Sequence, residues 1–147
     1  MASDTPSDVV RRFYAEAATA NLDDLPIAAD IRYHGPALLG DMEGRDAFLG
    51  VLNTFRSAFP NFATDVDILV SEGDLVAAWH THRCVHNGDF AGIPATGQPV
   101  VARGLELFRI RDGQIAEFWH MDDLAGVMQQ ITSPVPTTHE HSSGSSR

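Results

Sequence analysis

His86-Asn87-Gly88-Asp89-Phe90-Ala91-Gly92-Ile93-Pro94-Ala95-Thr96-Gly97, followed by Phe108-Arg109-Ile110-Arg111-Asp112-Gly113-Gln114-Ile115-Ala116-Glu117-Phe118-Trp119-His120-Met121-Asp122-Asp123, reads as a loop and then two strands joined by a tight turn. Asp112-Gly113 is a dipeptide that tolerates the positive φ of a two-residue hairpin connection. The run ends in a cluster of ionisable residues, and chemistry is expected there.

Outward from this stretch, the residues from Ala63 onward alternate with period two, which predicts strands at Ala63 to Ser71, Leu75 to Val85, Pro99 to Arg111 and Gln114 to Met121. Glu72-Gly73-Asp74 supplies another hairpin turn. Upstream the period is helical. Val9, Val10, Phe13, Tyr14 and Ala17 mark a helix over Asp8 to Thr19 with Ser7 or Asp8 as its cap. Phe48, Leu52 and Phe55 mark a second over Asp46 to Ala58, ended by Phe59-Pro60. Asn21 to Asp24 reads as a turn into a short helix, Ile31 to His34 as a brief strand stopped by Gly35-Pro36, and Leu124 to Gln130 as a final helix capped by Asp122-Asp123. Helices followed by a strand meander predict an α+β fold: N-terminal helices packed in the concave face of a curved, mixed, mostly antiparallel sheet. Such an arrangement encloses a pocket.

A chain of 147 residues with 44% hydrophobic content suits one domain with a real core, expected over 8–131. Residues 1–7 and the Pro- and Ser-containing segment 132–147 lack apolar periodicity and are expected to be disordered. A formal charge of −10 repels phosphate backbones and anionic lipid, so neither nucleic acid nor membrane is an expected partner. No segment has the length of a membrane span or the pattern of a signal peptide, which predicts a cytoplasmic protein. The single cysteine, Cys84, sits among strand residues as a small half-buried side chain.

Gly44-Arg45, Ala58-Phe59-Pro60-Asn61, Glu72-Gly73-Asp74, His86 through Gly97, and Asp112-Gly113-Gln114-Ile115 to Trp119 together resemble the SnoaL-like polyketide cyclase family, in order and spacing, from Val9 to Ile131. The resemblance implies the cone-shaped α+β fold shared with ketosteroid isomerase, scytalone dehydratase and limonene epoxide hydrolase, a homodimer, a deep apolar pocket, and ring closure of an apolar polyketide-like small molecule without a cofactor. It implies further that the family's acid/base aspartate lines up with His120, that a position where the aldol cyclase can carry histidine lines up with Glu106, and that another pocket position lines up with His34 or, one register away, Tyr33.

Histidine, with an ordinary pKa near 6.5, is workable as a general base at neutral pH. His120 is therefore the leading catalytic candidate. Glu106 would orient the imidazole and stabilise its charged form, and His34 or Tyr14 would donate to a developing enolate oxygen. Tyr14, Tyr33, Phe48, Phe55, Trp79, His82, Phe108 and Phe118 are the expected substrate-binding residues, some of them doubling as core. The ring-forming step can be an aldol reaction, an oxa-cyclisation or a cycloaddition steered by pocket shape. A hydrolase or dehydratase of the same fold and a non-catalytic small-molecule-binding module are the alternatives.

His80, His82, Cys84 and His86 alternate and share one strand face. Same-face neighbours are about 6.6 Å apart, so four span about 20 Å, against Zn–N bonds near 2.0 Å. At most His80 and His82 can chelate together, with Glu106 or His120 completing the set. No metal is expected.

Overall fold

In a computed structural model, which describes residues 3–133, the chain forms three α-helices, a short 3-10 helix at Leu22–Asp24 and one six-stranded sheet. Helix α1 spans Pro6–Glu16, α2 Arg45–Ala58 and α3 Leu124–Thr132; the strands are β1 Ile27–His34, β2 Asp41–Glu43, β3 Ala63–Glu72, β4 Leu75–Val85, β5 Pro99–Arg111 and β6 Gln114–Asp122. The strand order is β2-β1-β6-β5-β4-β3. All pairings are antiparallel except β1 with β6, so the sheet is mixed as expected, and it is open rather than closed into a barrel.

Three register shifts bend the sheet, between Ile27 and Arg32, Val66 and Ile68, and Arg109 and Ile110. Such bulges increase local twist and let a sheet curl over what it covers. Here it curls over α1 and α2. Val9, Val10, Phe13 and Tyr14 on α1 and Phe48, Leu49 and Leu52 on α2 pack with Ile31, Tyr33, Val76, Phe108 and Phe118 from the inner sheet face into one core. A smaller core joins Phe59 and Phe90 to Val127 and Ile131 of α3, closing the other end of the cone.

Two expectations for the N-terminus are corrected. Helix α1 starts at Pro6, inside the segment expected to be disordered, because Thr5 rather than Ser7 or Asp8 is the cap. Thr5 and Asp8 form a reciprocal capping box, with Pro6 in the first turn where its missing N–H costs nothing. The first strand begins at Ile27 rather than Ile31, and β2 went unread because three residues carry too little periodicity. Helix α3 extends to Thr132; residues 134–147, the rest of the segment expected to be disordered, lie outside the described residues.

The β5–β6 turn and the loop after His86 fix the fold through their backbone geometry. Asp112 and Gly113 both take positive φ in the β5–β6 turn. The loop after His86 docks on the end of α2, where Asn87 and Gly88 donate their N–H groups to Ala58 O. A side chain at Gly88 would overlap the Ser57 carbonyl, so the close approach requires glycine. Arg45, at the start of α2, donates to the carbonyls of Leu22, Asp23, Leu25 and Ile27 and ties the turn before β1 to that helix. No helix among the described residues is long and apolar enough to cross a membrane.

Candidate active site

Strand alternation decides which side chains reach the interior. On β4 the inner face carries Val76, Ala78, His80 and His82; on β5 it carries Ala102, Gly104, Glu106 and Phe108; on β6 it carries Phe118, His120 and Asp122. Cross-strand register then sets the neighbours: Glu106 faces His120 and Ala78, while Gly104 stands between Asp122 and His80. Because Gly104 has no side chain, Asp122 and His80 meet across it, with Oδ1 and Nε2 3.1 Å apart.

This polar grid forms one end of a cavity of about 350 Å³. Its walls are aromatic and apolar, with Phe13, Phe48, Val51, Phe55, Phe62 and Phe118 among them. Of the residues expected at the site, His120, Glu106, Tyr14, Tyr33, Phe48, Phe55, His82 and Phe118 all line it.

Three expected residues do not line it, and for His34 and Trp79 the physical reason is the same period of two. His34 is on the outer face, its ring stacked on Trp119 at 5.2 Å and its Nε2 2.7 Å from Glu117 Oε2. Tyr33, one residue earlier, points inward and takes the position left open between the two. Trp79, between inward Ala78 and His80, is 40% exposed on the outer face. Phe108 does face inward, but it is fully buried behind the cavity wall, stacked on Phe118 at 4.6 Å.

Asp122 and His80 join the cluster, Asp122 from a pair expected only as a helix cap and His80 from the pair able to chelate on β4. The structure divides the expected Asp122-Asp123 cap: Asp123 caps α3 by accepting from Gly126 N–H, while Asp122 points into the sheet concavity. The signal was available, since Asp122 is two residues from His120 and therefore on its face.

The hydrogen bonding is dense. Tyr14 O–H donates to Glu106 Oε2 at 2.5 Å. His120 Nε2 lies 2.7 Å from Asp122 Oδ2 and 3.6 Å from Glu106 Oε1, and its Nδ1 is 2.6 Å from the Tyr33 hydroxyl. With a carboxylate beside Nε2, the proton of the neutral ring belongs there, leaving Nδ1 to accept from Tyr33.

Burial and charge act in opposition on these groups. Burial raises Glu106 to about 7, helped by the charge of Asp122 and opposed by His80, His120 and the Tyr14 hydrogen bond. Burial opposes the charged form of His120, but Asp122 and Glu106 outweigh it and hold the imidazole above its ordinary pKa; the same balance raises His80. Burial would likewise raise Asp122, yet His120, His80 and His82 hold it well below the usual carboxylate range. His82 is pushed down to about 4 by burial, so it is neutral at physiological pH. Burial, followed by the nearby carboxylates, raises Tyr14 and Tyr33, which stay protonated donors. Cys84, raised to about 11 by burial, is a thiol and no nucleophile.

A curled sheet over two helices, with an aromatic cavity ending in buried imidazoles and carboxylates, defines a small-molecule site of the α+β cone type. A family model for SnoaL-like polyketide cyclases matches residues 8–131, and the chain belongs to that family. It is 30% identical over 137 residues to aklanonic acid methyl ester cyclase DnrD of Streptomyces peucetius, covering 90% of this chain and 94% of that one. It is 28% identical over 121 residues to nogalonic acid methyl ester cyclase of Streptomyces nogalater, covering 80% and 90%. Among solved structures, IdmH of Streptomyces antibioticus, assigned as a polyketide cyclase, superposes with a TM-score of 0.78 at 31% identity, covering 88% of this chain and all of that one. A SnoaL-like protein from Jannaschia sp. CCS1 gives a TM-score of 0.81 at 24% identity over 90% of this chain and 99% of that one, a likeness of fold.

Proposed function

We propose that this protein is a cyclase of polyketide or related natural-product biosynthesis, acting in the cytoplasm, that closes a ring in an apolar intermediate by acid/base catalysis and preorganisation of the chain in its cavity. The observation that carries the reading is the placement of His120: a partly buried imidazole held on one side by Tyr33 and on the other by Asp122, at the polar end of a mostly apolar cavity. In an aldol closure the Tyr33 hydroxyl, which holds the resting ring at Nδ1, turns to the substrate carbonyl oxygen; the freed Nδ1 of His120 takes a proton from carbon beside that carbonyl and returns it to the new alkoxide. Asp122 and Glu106 stabilise the imidazolium from the Nε2 side between these steps. Aromatic walls hold the substrate folded with its reacting carbons together, a contribution that can exceed that of proton transfer.

The substrate class follows the matched relatives, which are cyclases of aklanonic and nogalonic acid methyl esters. A cavity lined, among the described residues, by no lysine or arginine and by two carboxylates suits such uncharged esters. The test is turnover of a polycyclic acid methyl ester of this type by the wild type and by His120→Ala. Acid/base catalysis predicts a loss of about 10²- to 10⁴-fold in kcat with the fold intact. Substantial turnover by the variant would sink the role of His120 and leave closure to cavity shape alone.

We also propose a homodimer built on the outer sheet face. Ile68, Trp79, Leu105 and Met121 stand in one cross-strand row over β3, β4, β5 and β6, and each is at least 40% exposed. A contiguous apolar row across four strands on an acidic protein is a surface that association would cover.

A further inference from the structure

His80, His82, Glu106 and Asp122 each offer a ligand atom, and these four atoms lie within 4.8 Å of one another. Two of the edges are already short: His80 Nε2 is 3.1 Å from Asp122 Oδ1 and 3.5 Å from Glu106 Oε1. Donors about 2.0–2.1 Å from a tetrahedral metal are about 3.3 Å from each other, so these edges have the spacing of ligands around a common ion. His82 Nε2, 3.9 Å from Asp122 Oδ2, needs a modest side-chain rotation to join them.

A second observation points to a missing partner. His80 is fully buried, yet among the described residues neither of its ring nitrogens has a hydrogen-bond partner, and Asp122 Oδ1, 3.1 Å away, has none either. Buried polar groups are nearly always satisfied, so a fully buried histidine that meets a carboxylate at 3.1 Å as a charge pair, without an aligned hydrogen bond, has capacity for a further partner. The supporting shell fits an ion as well. The Thr64 hydroxyl engages His82 Nδ1 at 2.7 Å, which leaves Nε2 free, and Tyr14 holds the far oxygen of Glu106. Metal-bound histidines and carboxylates are oriented by outer contacts of this kind.

We infer that His80, His82, Glu106 and Asp122 bind one divalent first-row transition cation, of the zinc or cobalt class, at the polar end of the cavity. Two neutral imidazoles and two carboxylates neutralise a dication, which makes its burial tolerable and suits borderline metals better than magnesium or calcium. His80 and His82 come from alternate positions on β4, Glu106 from β5 and Asp122 from β6, so three adjacent strands fix the site. Of the set that strand spacing allows, His80 and His82 completed by Glu106 or His120, the structure brings Glu106 to the pair and adds Asp122 from β6, which spacing along β4 does not reveal. His120 stays beside the cation, where its proton chemistry and the cation's polarisation of a substrate carbonyl would serve the same ring closure. The binding claim itself does not rest on the cyclase reading.

The test is calorimetric titration of EDTA-treated, extensively dialysed protein with Zn²⁺, together with the visible spectrum on adding Co²⁺. Because His139 and His141 flank Glu140 in the tail, every chain used carries H139A and H141A. The expected result is one equivalent bound, cobalt d–d bands of a four- or five-coordinate site, and a rise in Tm with Zn²⁺ concentration, as binding to the native state requires. His80→Ala and Asp122→Asn, each checked by circular dichroism, should weaken binding by at least about tenfold. Absence of one-equivalent binding, or binding undiminished in both folded variants, overturns the inference. Should either variant fail to fold, the zinc-dependent rise in Tm of the parent protein decides the matter.

Discussion

Gly104 stands opposite Asp122 across the β5–β6 ladder and leaves open the space that the Asp122 carboxylate occupies. A Cβ at Gly104 would overlap Asp122 Oδ1 and approach His80 Cε1 to 2.7 Å. The residue is thus the vacancy through which β6 and β4 bring an acid and an imidazole together over an intervening strand. Gly104→Ala should destabilise the protein by about 1–3 kcal/mol through overpacking, seen as a lower denaturant midpoint. It should also lower turnover by about 10²-fold, the effect of displacing a positioned group by an ångström or so. Unchanged turnover would show that Asp122 plays no part in the chemistry.

Tyr33→Phe removes the hydroxyl that holds His120 Nδ1 and keeps the ring that packs on Phe48 and Phe118. A hydrogen bond of this kind is worth about 1.5–3 kcal/mol when its partner becomes charged, which corresponds to a fall in kcat of about 10- to 100-fold. KM should be little affected, because the aromatic wall survives. Steady-state kinetics separates the two parameters, and a change confined to KM would reassign Tyr33 to substrate packing.

His34→Ala is the control on the opposite face. The side chain pairs with Glu117 and stacks on Trp119 outside the cavity, where such contacts contribute about 0–1 kcal/mol. Turnover should match the wild type, with a small loss in Tm. A large loss of turnover would return His34 to the site.

Leu105→Lys places a charge in the middle of the outer apolar row without touching the inner face. If the row is the contact between two copies, light scattering should report a dimer for the wild type and a monomer for the variant at the same concentration. A variant that remains dimeric would move the interface elsewhere.

Phe118 combines core and cavity wall, packing against Phe13, Phe48, Phe108 and His120. Phe118→Ala should cost about 3–5 kcal/mol, because the lost contacts leave a void that rigid neighbours fill poorly. Chemical denaturation measures the loss, and a value below about 1 kcal/mol would mean that the wall collapses inward.

Much of the architecture was legible because its causes are local. Period two from Ala63 onward, the Asp112-Gly113 turn and the apolar stripe through Phe48, Leu52 and Phe55 each express a backbone geometry that a few neighbouring residues impose. The start of α1 was misplaced where the competing caps Thr5, Ser7 and Asp8 crowd into four residues, and the Thr5–Asp8 capping box prevailed.

The site was legible in part. His120 and Glu106 could be paired from the sequence through the resemblance, and the aromatic residues could be nominated as a group. Which of them enclose the cavity was a matter of face: a shift of one residue exchanges His34 for Tyr33, and alternation sends Trp79 outward. By itself the sequence determined the run of helices and strands, the turns and the family, since those depend on contacts between residues close along the chain. The tertiary structure decided that His80, His82, Glu106, His120 and Asp122 share one buried cluster. Strand register across β4, β5 and β6 brings them together, with Gly104 opening the space between, and register is a relation between segments that no single segment encodes.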